Sequence, residues 1–204
     1  MNVIAFSVTA DQEVEQDFIS ISFSATETGT DANELQKALA IRVKEALTIA
    51  REKQDPGKVD VRSGAFQITP SYNKDGLVNG YEGHGIIIVS GTNTKTITEL
   101  TGEISSMNVI DVQQGVSKAV RKAVEQDLVL TAIKNWREKS QIYAGAFDSS
   151  SYTLINLDIG FNNPSPIYAR AYAMSTAGGN GQVPTESGTE TITVSISGSI
   201  QLDC

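Results

Sequence analysis

From Asp17 onward the apolar residues alternate: Ile19, Ile21, Phe23 and Ala25 fall on one side, Ser20, Ser22, Ser24 and Thr26 on the other. A period of two belongs to a strand with one buried face. After Thr28, Gly29 and Thr30 the period changes. Asp31, with Glu34 three residues on, has the form of a capping box, and Ala32, Leu35, Leu39, Val43, Ala46, Leu47 and Ala50 then recur at helical spacing. The pattern predicts a helix over 31–53 that stops before Asp55, Pro56 and Gly57.

Val59 and Val61, then Phe66 and Ile68, predict a strand whose alternation slips at Gly64, a position where a bulge carries no side-chain penalty. Pro70 is expected to close that strand. A polar turn, Asn73-Lys74-Asp75-Gly76, leads into a hairpin partner over 77–90 whose aliphatic run, Ile86, Ile87, Ile88 and Val89, suits the middle of a sheet. A shorter helix over 94–105 carries Ile97, Leu100 and Ile104, and Val109, Ile110, Val112 and Val116 mark a short extended piece. A long helix follows over 118–144. Val120, Val124, Leu128, Ala132, Trp136, Ser140 and Ala144 lie four apart along one stripe of it, its other faces are charged, and Gly145 supplies a stop.

Ile155, Leu157, Ile159 and Phe161 alternate as another strand, and so do Ile192, Val194, Ile196, Ile200 and Leu202, with Gly198 at the intervening inward position. The strand, helix, hairpin, helix, strand order, completed by a long helix and two C-terminal strands, predicts an α+β fold. Its sheet is expected to be mixed or antiparallel with the helices on one face, in a single domain over 1–204. The connection over 162–190 holds three of the five prolines and the cluster Gly178-Gly179-Asn180-Gly181. So long a connection is unusual in a compact domain. Within it Ala169, Ala171 and Ala173 alternate with Tyr168, Arg170, Tyr172 and Met174, which reads either as a strand-like contact arm or as a solvated loop. On the first reading Tyr168, Arg170 and Tyr172 are the candidate contacts for self-association or binding.

Charge narrows the partners. Sixteen basic against twenty-four acidic residues give a formal net charge of -8. That balance opposes the counterion release that drives nucleic-acid binding, so no nucleic-acid partner is expected. No uninterrupted apolar run is longer than the four residues at 86–89, far short of the roughly 18 residues of a membrane span. The lone cysteine, Cys204, permits no internal disulfide and is expected to be an inert terminal thiol. No basic patch followed by an apolar stretch opens the chain, so no signal peptide is expected in it.

Reactive constellations are sparse. The single histidine, His84, sits in Gly80-Tyr81-Glu82-Gly83-His84-Gly85 without a Gly-x-Ser-x-Gly elbow, and reads as a sheet residue among glycines rather than a catalytic base. One histidine and one cysteine far apart do not make a transition-metal site, and neither glycine cluster opens a helix as a nucleotide cradle must. Asp11, Glu13, Glu15 and Asp17 share one face of an extended segment. They could attract calcium or a cationic partner, but read better as charges guarding a sheet edge. No cofactor, no metal and no enzymatic activity are expected. Tyr72, Tyr81, Tyr168 and Tyr172 offer the alternative of a binding module for a small molecule or peptide.

A strand ending in Thr69-Pro70-Ser71-Tyr72, a turn, Gly80-Tyr81, a continuous aliphatic strand, a long helix with small residues every four positions, and Val183-Pro184, Gly188 and an alternating last strand together resemble the SIMPL-domain family. The resemblance runs from about Phe6 to the end. Trp136 and Ser140 depart from it, standing where the family usually has alanine. The resemblance implies an exported, periplasmic α+β protein of the oxidative-stress-defence or periplasmic immunogenic type, with members that assemble into large rings. It supplies no catalytic residues to carry over. The expected protein is thus a self-associating, homo-oligomeric scaffold of the cell envelope without enzymatic activity, and its ligand is not specified.

Overall fold

A computed structural model describes residues 2–162 and 188–203. The predicted arm, with Tyr168, Arg170 and Tyr172, and the terminal Cys204 lie outside the described residues. Ten elements follow one another: β1 (Val3–Glu15), β2 (Phe18–Gly29), α1 (Ala32–Glu52), β3 (Asp60–Tyr72), β4 (Val78–Gly91), α2 (Thr94–Glu103), β5 (Asn108–Gly115), α3 (Lys118–Ala146), β6 (Ser151–Asn162) and β7 (Thr189–Asp203). They form two compact units. Both sheets are antiparallel throughout: four strands in the order β3-β4-β2-β5, and three in the order β1-β7-β6. The fold is α+β, as the element order predicts.

In the four-stranded unit, Ile19, Ile21, Phe23 and Ala25 of β2 and Ile87 and Val89 of β4 face the helices and are fully buried. Leu39, Val43, Ala46 and Ala50 of α1, and Ile97 and Leu100 of α2, close over them. Gly85 is where α1 presses hardest: a Cβ there would lie 2.5 Å from Val43 Cγ2. Only a glycine permits so close an approach of helix to strand. Arg42 of α1 ties helix to sheet, donating to Glu27 at 2.5 Å and to the Ser106 carbonyl at 2.9 Å. Gly64 falls at a register shift between Ser63 and Phe66, the slip the alternation predicted. β3, however, runs through Pro70 to Tyr72; among the described residues it is an edge strand, the place in a sheet where proline is tolerated.

The helix start at Asp31 is also as the capping pattern predicts. Its carboxylate accepts the N–H of Asn33 at 2.7 Å and of Glu34 at 3.0 Å. These two bonds, the one from Glu34 foremost, hold the Asp31 pKa below the ordinary aspartate value. A carboxyl whose folded pKa is depressed contributes stability that is present above its unfolded pKa and is lost as pH falls through the folded one. Asp31→Ala is therefore expected to lower the urea midpoint modestly at neutral pH. The gap to wild type should close in strong acid, and an undiminished gap there would show that the carboxylate is not its source.

In the three-stranded unit, α3 lies across β1, β7 and β6. Leu128, Ala132, Trp136, Ser140 and Ala144 are buried, the four-residue stripe seen in the sequence, against Ile192, Val194, Ile196, Ile200 and Leu202 of β7. The buried Ser140 hydroxyl donates to the Trp136 carbonyl at 2.9 Å, so its burial leaves no orphaned donor. Arg121 near the start of α3 meets Glu190 of β7 at 2.5 Å. α3 passes through Gly145 to Ala146 and caps on Phe147, with Asp148 at φ 56°; the left-handed residue that ends the helix is thus an aspartate rather than the predicted glycine.

The sequence reading of this unit holds for the acidic segment, placed at a sheet edge, and fails at one residue of β6. The acidic segment is part of a thirteen-residue strand, β1, and this strand forms one edge of the sheet by pairing with β7 from Val3↔Gln201 to Glu15↔Thr189. Asp11, Glu13 and Glu15 are exposed on it, while Asp17 lies beyond its end. In β6 the ladder shifts between Leu154 and Asn156. Leu154 therefore stands opposite Ile200, and Ile155, expected to share the inward face of Leu157, is the unpaired bulge residue.

Candidate functional site

Three places on the described surface bring polar or apolar groups together. The first surrounds His84. β4 holds it between Thr26 of β2 and Gln67 of β3, because those residues are its register partners. Thr26 Oγ1 lies 3.2 Å from Nδ1 and Glu82 Oε1 lies 3.3 Å from Nε2. A hydroxyl, an imidazole and a carboxylate thus stand in a row, the composition of a nucleophile with its base and orienting acid. The row lies flat on a partly exposed strand face, and both ring nitrogens are engaged by neighbours of the same sheet. What it offers chemically is a cross-strand link that ties β2 to β4 through a titratable ring.

The second place is a shallow groove of about 410 Å³ on the three-stranded sheet, lined by Ala5 and Ser7 of β1, Asn156 and Asp158 of β6, and Ser197 and Ser199 of β7. Register explains it: Ser7, Ser197 and Asp158 form one cross-strand row, and Ala5, Ser199 and Asn156 the next. Small side chains leave the sheet surface low. Ser199 hydrogen-bonds Asn156 across the strands, so part of the polar lining is already satisfied within the groove. Among the described residues no group of three or more His, Cys, Asp or Glu is placed to hold a metal ion.

The third place is the outer edge of β6. Ile159 stands opposite Ile196 and Phe161 opposite Val194, so both share the face that α3 covers. Ile196 and Val194 are fully buried, yet Ile159 remains 42% exposed and Phe161 51%. Leu154 and Ile155 on the same strand are also exposed. Sequence alternation alone marks Ile155, Ile159 and Phe161 as inward-facing, and leaves Leu154 out of phase. That they lie at an edge follows from β7 taking the central place between two strands distant in sequence, which no local pattern encodes.

Of the four tyrosines proposed as a binding surface, Tyr72 and Tyr81 lie on paired strands near the β3–β4 turn, Tyr72 opposite Val78 and Tyr81 opposite Pro70. Tyr168 and Tyr172 lie outside the described residues, as does Arg170, so the described structure does not bring the set together. No helix of the described residues is long and apolar enough to cross a membrane.

Two antiparallel sheets, each covered on one face by helices, place the chain among α+β proteins of sheet-and-helix layers. Within that class it belongs to the SIMPL family, described as a protein of unknown function (DUF541), whose family model matches residues 4–200. No curated protein matches the chain.

Proposed function

We propose that this protein is a non-enzymatic, self-associating component of the cell envelope, exported to the periplasm and contributing to oxidative-stress defence. The observation that carries self-association is the cluster of four large hydrophobic side chains, Leu154, Ile155, Ile159 and Phe161, left exposed on one edge strand. Apolar groups gathered along an open edge favour burial against another chain, whereas single exposed ones do not. Location in the envelope and the link to oxidative stress rest on the resemblance carried by 69–72, 80–81 and 183–188, not on the geometry. The scaffold reading is also consistent with the His84 row, which serves as a link within one sheet.

The test is the mass of the protein, recovered from the periplasmic fraction, measured by light scattering at micromolar concentration. A multiple of the 21.8 kDa chain mass is expected. A monomer would overturn self-association and leave the binding-module reading as the better one.

A further inference from the structure

Among the described residues the two sheets have four edge strands, and these are not equivalent. β1 carries exposed Asp11, Glu13 and Glu15. β3 carries Pro70 and the ion pair of Arg62 with Asp60. β5 is only eight residues long, carries Asp111, and has a shifted register. Charge, proline, shortness and bulging are the devices by which proteins keep an edge from pairing with another chain. β6 has one of them, the bulge at Ile155, and only in its first half. Past the bulge its sequence is Asn156, Leu157, Asp158, Ile159, Gly160, Phe161 and Asn162, with a single charge and no proline. Among the described residues its ladder runs to β7 on one side only.

We propose that this half of β6 pairs antiparallel with the same half of β6 in a second copy of the chain, joining two three-stranded sheets across a two-fold axis. The inference rests on the self-association reading and specifies its contact. A second copy is the occupant favoured because this stretch of β6, the least guarded edge among the described residues, is complementary to itself: in two-fold pairing its apolar residues meet apolar residues and its one carboxylate can face a glycine. Two-fold pairing makes one surface complementary to itself. Charge then selects the register. Centring the pair on Asp158 would set two carboxylates directly opposite, which disfavours it. Centring it on Ile159 sets Ile159 against its own copy, Phe161 against Leu157 and Asp158 against Gly160. The half-exposed apolar side chains then continue the face that α3 already covers, and no like charges meet.

Two variants test this. Ile159→Lys places a charge at the centre of the contact, on a side chain that is already partly exposed, and is expected to weaken association at least about tenfold by light scattering or sedimentation. Ile159→Cys in a Cys204→Ser background puts two thiols opposite each other at the two-fold axis. Mild oxidation is expected to give a disulfide-linked dimer on a non-reducing gel, and the matched Thr9→Cys variant on β1 is expected to give none. An assembled wild type whose mass is unchanged by Ile159→Lys, or an Ile159→Cys variant that does not cross-link, would overturn the β6 contact while leaving self-association standing. A monomeric wild type would remove both.

Discussion

Gly91→Ala is expected to be among the most damaging single substitutions in the four-stranded unit, costing about 3 kcal/mol or more. Gly91 ends β4 and pairs with Ile19 of β2. A Cβ built there would lie 1.9 Å from the Lys58 carbonyl oxygen and 3.1 Å from the Val59 nitrogen. Those atoms cannot easily retreat. Lys58 and Val59 sit in a tight turn closed by N–H bonds to the Asp55 carbonyl at 2.8 and 2.7 Å, and the Lys58 carbonyl also accepts the N–H of Asn93, the α2 cap residue, at 3.1 Å. Moving the carbonyl would disturb the turn after α1 and the start of α2 together. A clash with a flexible side chain relaxes cheaply, but this one is with backbone held by three hydrogen bonds. The check is urea unfolding followed by far-ultraviolet circular dichroism. Gly102→Ala, where the added methyl meets nothing within 4 Å, serves as the control and is expected to be neutral or slightly stabilising. Equal midpoints for the two variants would show that the turn moves freely.

The sequence and the structure agree where a residue's surroundings are set by its near neighbours. β2 and β7 are central strands with one face buried, so their alternation is strict, and burial follows it at Ile19, Ile21 and Phe23 and at Ile192, Val194 and Ile196. α3 keeps its four-residue stripe because one helix covers a whole sheet face and has one side to bury. The caps were also readable, since Asp31 and its two N–H partners lie within three residues.

Disagreement arises where distant segments decide. β1 does alternate, with Ile4, Phe6, Val8 and Val14 packed against the core, but in the sequence only its acidic residues mark it, as a sheet edge whose partner strand is not identified. Its partner β7 lies at the other end of the chain, so the separation of the fold into two sheets is not encoded by any window of sequence. Pro70 illustrates the same limit. It stops a central strand and is tolerated in an edge strand, and position in the sheet is a property of topology. Ile155 is a third case, because alternation counted from Phe161 backward assumes an unbroken ladder. The edge of β6 was hidden for both reasons at once: its residues read as core, and its exposure follows from strand order.

Trp136→Ala is expected to cost about 3–5 kcal/mol, the largest loss available in the three-stranded unit. Trp136 is 3% exposed and stacks on Phe6 of β1 at 5.0 Å between centroids, with the ring planes 10° apart. Tyr143 then meets the same Phe6 ring edge-on at 5.0 Å, and the Lys139 ammonium lies 5.9 Å from its centroid. On the opposite strand a Cβ at Gly198 would come within 3.2 Å of the indole Cζ2, so the glycine makes room for the ring against β7. Truncation would therefore open a cavity between helix and sheet and strip Phe6 of its stacking partner. Trp136→Phe separates two contributions. The indole Nε1 is buried without a hydrogen-bond partner among the described residues, and an unpaired buried donor is itself destabilising. Phenylalanine removes that donor while keeping a ring against Phe6, so its loss is expected to stay below about 1.5 kcal/mol. Because this is the only tryptophan, its replacement abolishes the fluorescence signal, and the two variants must be compared by urea unfolding followed by circular dichroism. A Trp136→Phe loss as large as that of Trp136→Ala would mean that indole size, filling the space beside Gly198, outweighs both the stacking and the orphaned donor.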